Sequence, residues 1–141
     1  MKINTVRLLS LAVTVAFAPL ATAGKFEVWT QASGSGSVAL VSYQGDGTSQ
    51  EAQLDMTYPA GMKVSAQTKV AGSVCAVFPS ENKIRIVPPS GAGTALSSNA
   101  IDYCSFSFKG AGADAPELKK VFSECVPADA CQISISSTES K

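Results

Sequence analysis

The strictest constraint on the fold is the alternation of apolar and polar side chains over residues 51–58. The apolar members are Ala52, Leu54, Met56 and Tyr58, and the polar members between them are Glu51, Gln53, Asp55 and Thr57. Successive side chains of a β-strand point to opposite faces, so this pattern predicts a strand with one buried face. A Pro-Ala-Gly tripeptide follows and predicts a tight corner. We expect Leu54 in the core and Asp55 on an exposed outward face, where Asp55 is a candidate binding residue.

Shorter segments with β chemistry recur along the chain, separated by turns rich in Gly, Pro, Ser and Asn. The further predicted strands cover residues 25–29, 38–43, 62–64, 74–78, 83–87, 101–108, 117–124 and 132–136. Residues 117–124 also have a composition that permits a short helix, but the flanking Pro116 and the Val121-Phe122 pair favour a strand. About nine short strands at regular spacing predict an all-β fold, an antiparallel β-sandwich.

The first 23 residues have the layout of a secretory signal peptide. Lys2 and Arg7 precede an apolar run over residues 8–20, and Ala21-Thr22-Ala23 forms a small-residue cleavage site. The apolar run is shorter than the roughly 20 residues that cross a bilayer. We therefore expect a secreted or periplasmic bacterial protein without a membrane span after cleavage, with one domain over residues 24–136 and a flexible tail over residues 137–141.

Charge and composition exclude several classes of function. Two of the 11 Lys and Arg residues lie in the predicted leader, so the remaining chain has more Asp and Glu (11) than basic residues. Without a Lys/Arg cluster beyond Lys119-Lys120, nucleic acid is not an expected partner. The sequence contains no His, so a Ser-His-Asp or Cys-His nucleophile system cannot be built within it.

All four cysteines lie after the predicted leader, and an even number in an exported domain favours disulfides. A zinc site is disfavoured because the chain has neither a CxxC pair nor His. Three pairings of the four cysteines are possible. Turn-forming residues between Cys125 and Cys131 favour a bond between these two, which leaves Cys75 to pair with Cys104.

Carboxylates and aromatic residues are the remaining candidates for chemistry. A glycosidase needs two carboxylates across a cleft, and the spacing of Glu51, Asp55, Asp102 and Glu124 indicates no such pair. Calcium at Asp102, Asp114 or Asp129 has no supporting ligand spacing. We therefore predict a protein that is not an enzyme, with no metal and no cofactor.

Sugar binding on a flat sheet requires exposed aromatic side chains, and Trp29, Tyr43 and Tyr103 are the candidates for that role. Tyr43 and Tyr103 fall on the side of their strands opposite the more regular apolar residues. Together with Asp55 they are the candidate binding residues. A lone Trp in a small sandwich is usually part of the core, so we expect Trp29 to be buried.

Several segments resemble the cohesin domains of bacteria. The run Ala52-Gln53-Leu54-Asp55-Met56-Thr57-Tyr58-Pro59, followed by Met62-Lys63-Val64, is similar to the family's A-x-L/F-x-L-x-Y-x-P…L-x-V segment. Residues 83–87 and 104–109 are similar to its next pair of strands, and residues 124–130 resemble its late ADA(N/D)G turn. Together these segments cover most of residues 37–136 in the family's order.

The resemblance implies a nine-stranded, jelly-roll-like sandwich, shared with some carbohydrate-binding modules, that holds a dockerin partner on one sheet face without catalysis. The chain departs from the family pattern in two respects. Cohesins usually occur as repeated copies, whereas this sequence contains one copy, and the four cysteines are not a usual cohesin feature. We predict a secreted, non-catalytic binding or adhesion module that recognises a protein or polysaccharide partner through a sheet face or loops. A small secreted hydrolase, with a glycosidase-like carboxylate pair, or an inhibitor is the alternative.

Overall fold

The computed structural model describes residues 24–45, 51–89, 98–110, 116–126 and 131–138. These residues contain nine strands: β1 (Lys25–Ser33), β2 (Gly36–Gln44), β3 (Glu51–Thr57), β4 (Lys63–Thr68), β5 (Val74–Phe78), β6 (Lys83–Val87), β7 (Ile101–Lys109), β8 (Lys119–Val126) and β9 (Gln132–Thr138). Residues 117–124 were predicted as a strand rather than a helix, and β8 confirms this. The predicted leader, Asp114, Asp129 and the end of the predicted tail lie outside the described residues.

The strands form two sheets that pack as a sandwich. One sheet has the order β4-β7-β2-β1-β9 and the other the order β5-β6-β3-β8. The predicted nine-stranded β-sandwich is confirmed, although β9 pairs with β1 in parallel rather than antiparallel fashion. β9 also continues past residue 136, where the domain was predicted to end, because Ser137 and Thr138 pair with Thr30 and Gln31.

β3 lies between β6 and β8 in the four-stranded sheet. Its inward residues Ala52, Leu54 and Met56 are buried in the core, as the alternation predicted. Tyr58 follows the strand and packs edge-on against Phe108 of the opposite sheet, with ring centroids 5.8 Å apart. The strand therefore fixes which residues of the four-stranded sheet face inward.

Two disulfides join the two sheets. Cys75 of β5 is bonded to Cys104 of β7, and Cys125 of β8 is bonded to Cys131, which directly precedes β9. The predicted pairing is confirmed. Because β5 and β8 are opposite edges of the four-stranded sheet, the sandwich is cross-linked on both sides.

The turn between β5 and β6 positions charged side chains on the outer face of the four-stranded sheet. A short 3-10 helix, Pro79–Glu81, ends at Asn82, whose backbone adopts a left-handed φ of 50°. Asn tolerates this conformation better than most residues. The resulting hairpin places Phe78 directly opposite Lys83.

Candidate functional site

The outward residues of the four-stranded sheet form a row across its four strands. Ala76, Arg85, Asp55 and Phe122 are successive register partners on β5, β6, β3 and β8. We call the outer surface of this sheet the four-stranded face. Its centre is charged, and its flanks are partly apolar.

Asp55 lies at the centre of the four-stranded face and is held by its neighbours. Arg85 donates two hydrogen bonds of 2.9 Å, from Nε to Oδ1 and from Nη2 to Oδ2 of Asp55. Gln53 Nε2 donates a third bond of 3.2 Å to Oδ1. Lys83 Nζ is 3.9 Å from Oδ2.

The prediction that Asp55 is exposed is wrong, since only 4% of the residue is accessible to solvent. Alternation placed it correctly on the outward side of β3, but Arg85 lies directly across on β6 and covers it. A buried carboxylate with a bidentate Arg partner is a structural centre. It is not a free surface charge.

Arg85 is held on both sides. The hydrogen bond to Asp55 raises the pKa of Arg85, and the charges of Asp55 and Glu81 act in the same direction, while desolvation opposes them. Its guanidinium carbon lies 5.2 Å from the centroid of the Phe78 ring, and Lys83 Nζ lies 4.9 Å from the same ring. A cation over an aromatic face is attracted by the ring quadrupole. Arg85 is therefore a fixed, permanently charged group that remains one-third exposed.

Exposed apolar side chains border this charged centre. Phe122 is 43% and Val121 54% exposed, and Val74 at the other edge of the sheet is also exposed. The register of β8 against β3 shifts so that Asp55 faces Phe122 while Met56 faces Lys120, which leaves Val121 without an opposite residue. Such a bulge re-aims side chains, and because β8 is also an edge strand, residues 119–122 are all exposed.

Replacing Asp55 with Lys is expected to destabilise the protein by about 2 kcal/mol or more, because hydrogen bonds to a charged group are lost and a third cation is placed beside Arg85 and Lys83. Urea unfolding provides the measurement. Asp102→Lys is the matched control, because Asp102 is exposed on β7 and its replacement should change stability by no more than about 0.5 kcal/mol. Equal stability of the two variants would contradict the structural role of Asp55.

The structure places Tyr43 and Tyr103 in the core, so the expectation that they are exposed is wrong. Tyr43 packs against Phe26 with ring centroids 4.6 Å apart, and its hydroxyl lies 3.7 Å from Cys125 Sγ. The pKa of Tyr103 is raised above its ordinary value, mainly because burial disfavours the charged phenolate and to a smaller extent because of the electrostatic effect of the nearby Tyr43. Neither ring can stack on a polysaccharide without unfolding of its strand.

Trp29, expected in the core, is instead 55% exposed. The residues next to Trp29 in β1 alternate between apolar and polar, and this alternation predicts that Trp29 is exposed. Phe26, Val28 and Thr30 point inward, whereas Glu27 and Gln31, which share the face of Trp29, are polar. The alternation of β1 therefore outweighs the general preference of Trp for the core.

The carboxylates considered for catalysis are dispersed. Asp55 and Asp102 belong to different sheets, and Asp55 is engaged by Arg85. Glu51 and Glu124 border a shallow depression of about 240 Å³ together with Gln53 and Val87. Within the described ranges, no group of three or more Cys, Asp or Glu side chains is arranged to hold a metal ion. No helix among these residues has the length and apolar character needed to span a membrane.

Neither a family model nor a curated protein matches the chain, but solved structures do. A cohesin from Clostridium thermocellum, solved in the Coh-OlpC-Doc435 complex, has a TM-score of 0.58 and 11% identity over 86% of this chain and 99% of that chain. The third cohesin of ScaC from Acetivibrio cellulolyticus, in complex with the ScaB dockerin, has a TM-score of 0.61 and 5% identity over 80% and 94%.

The sixth cohesin of scaffoldin B from Acetivibrio cellulolyticus, in complex with a Cel5 dockerin mutant, is similar as well. It has a TM-score of 0.61 and 13% identity over 83% of this chain and the whole of that chain. These likenesses extend over most of each chain, and they establish that the sandwich is cohesin-like in fold.

Proposed function

We propose that the protein is a non-catalytic module that binds another protein through the four-stranded face. The observation that carries the proposal is the fixed Arg85–Asp55 pair bordered by the exposed side chains of Val74, Val121 and Phe122. Protein interfaces draw most of their binding energy from a few aromatic and Arg residues surrounded by less important contacts. This face combines both types of residue on a rigid sheet.

The rigidity of the face favours binding. Ordering a flexible Arg at an interface costs side-chain entropy, but Arg85 is already restrained by Asp55 and the Phe78 ring. Its exposed remainder can donate hydrogen bonds to a carboxylate or carbonyl of a partner. Phe122 supplies apolar area on the other side of Asp55, on a strand at the sheet edge.

The structural neighbours support a protein partner, because each of the three cohesins was solved with a dockerin. The alternative of a hydrolase is less well supported, because the carboxylate of Asp55 at the centre of this face is already paired with Arg85. The predicted leader and the two disulfides, which persist in oxidising compartments, support a secreted or periplasmic location.

The variant Phe122→Asp tests the proposed face. Wild-type protein is immobilised and used to capture proteins from the envelope and culture medium of the producing organism, and the captured protein is purified for measurement of its Kd. Phe122→Asp is expected to weaken this affinity roughly 30-fold, because an apolar contact is replaced by a charge beside Val121. Thermal melts establish that the variant is folded.

The matched control is Trp29→Ala, which removes an exposed aromatic side chain from the opposite sheet. We expect this variant to bind the captured protein as the wild type does. Equal affinities for Phe122→Asp and wild type would refute the four-stranded face as the site. Failure of the wild type to retain any protein would refute protein binding itself.

A further inference from the structure

The outer surface of the five-stranded sheet has a different character from the four-stranded face. One row of register partners crosses all five strands and consists of Ser136, Trp29, Leu40, Ser105 and Gln67. The adjacent row contains Gln31, Val38, Ser107 and Ser65. We call these two rows the Trp29 strip. It presents one exposed indole, two aliphatic side chains, and otherwise only hydroxyl and amide groups.

A shallow depression of about 340 Å³ lies beside the Trp29 indole within this strip. Leu40 and Val38 supply its apolar lining, and Gln67, Ser105 and Ser107 supply polar groups. The Ser105 hydroxyl donates a 3.4 Å hydrogen bond to Gln67 Oε1. This bond orients the amide and leaves the Gln67 nitrogen as a donor toward a ligand.

The charge of the strip selects among ligand classes. Among the residues that the structure describes, neither row contains a charged side chain, and Lys69 is the one charged side chain lining the depression. Glu27 and Asp102 lie in the next row, together with Ser42. Lys109 and Lys63 lie in the row on the other side, so charges of both signs flank the strip and a nucleic acid or an anionic lipid surface would find no continuous array of cations on it. A neutral polyhydroxyl ligand matches the uncharged strip.

We propose that the Trp29 strip binds an extended, neutral polysaccharide. The indole would stack on the apolar C–H face of a sugar ring, while Gln67 and Ser107 exchange hydrogen bonds with its hydroxyls. Five strands spaced about 4.8 Å apart make the row about 19 Å long, which accommodates several rings of an extended chain.

Intrinsic fluorescence provides a direct test, because Trp29 is the single Trp of the chain. Cellohexaose and microcrystalline cellulose are the probes. Titration with cellohexaose is expected to shift the emission of wild-type protein to shorter wavelength as the exposed indole is covered. Calorimetry and depletion by cellulose measure the affinity of variants that lack the indole.

Trp29→Ala is expected to weaken binding tenfold or more, as stacking and apolar contact are both lost, a change of about 1.4 kcal/mol. Trp29→Phe should retain part of the affinity. Phe122→Asp, on the opposite sheet, should bind as the wild type does, so that failure of this proposal and failure of the four-stranded face are separate results. More than half of the Trp29 surface is already exposed, and melts should show that both Trp29 variants fold.

The proposal is overturned if wild-type protein binds neither probe, or if Trp29→Ala binds them as tightly as wild type. It is also overturned if light scattering shows a wild-type dimer that Trp29→Ala converts to a monomer, because the strip would then be covered by a second copy of the chain.

Discussion

Replacing Leu54 with Asp is expected to leave the protein largely unfolded at room temperature. Leu54 is completely buried in β3, with Ile86 and Ser123 as its register partners. The new carboxylate would lose its hydration without gaining a partner, and the core would lose a large apolar side chain. The combined cost exceeds about 4 kcal/mol, which is comparable with the whole stability of a small domain.

Far-UV circular dichroism and urea unfolding measure the effect, with Leu54→Met as the control. Met has nearly the volume of Leu and no charge, so that variant should lose less than about 1.5 kcal/mol. If Leu54→Asp melted within a few degrees of Leu54→Met, the inward register of β3 would be wrong.

Loss of the Cys75–Cys104 disulfide should have the next largest effect. The chain-entropy relation gives about 3.6 kcal/mol for a bond spanning 29 residues, and about 2.2 kcal/mol for one spanning 6 residues such as Cys125–Cys131. We expect the double variant Cys75→Ala/Cys104→Ala to unfold at a clearly lower urea concentration than Cys125→Ala/Cys131→Ala.

The comparison of the two double variants is matched, because each bond joins the two sheets and each has one completely buried sulfur partner, Cys104 or Cys125. Both variants are measured by urea unfolding beside the wild type. A larger loss of stability from the Cys125–Cys131 pair would show that native packing around the bond outweighs the constraint on the unfolded chain.

Patterns confined to one strand were sufficient to predict much of this fold. Alternation identified the buried side chains of β3 because the period of a strand is independent of its neighbours. The disulfide pairing followed from local turn chemistry between Cys125 and Cys131. The prediction that Asp55 is exposed was wrong for the opposite reason. The burial of Asp55 depends on Arg85, which is 30 residues away along the chain. Arg85 becomes a neighbour of Asp55 only through the register of β6 against β3.

The candidate site depended on equally nonlocal features. Val121 and Phe122 lie at a bulge between β8 and β3, on an edge strand whose residues 119–122 are all exposed. The bulge has no clear signature in either strand alone. Tyr43 was assigned to the wrong environment because it shares the buried face of Ala39 and Val41. Tyr103 lies where the register of β7 against β2 shifts, and it is buried as well. Trp29 was misjudged because a residue-type preference was given more weight than the local alternation.

The parallel pairing of β1 with β9 has a consequence for the order in which the molecule can form. β1 lies between β2 and β9, and its pairing with β9 joins Lys25 to Gln132. The backbone groups on this side of β1 therefore gain their partners only when β9 is present. Contacts between such distant parts of a chain require closure of a long loop, and they slow folding. The sheet that carries Trp29 is therefore completed only after β9 has been synthesised, and until then β1 has an open strand edge.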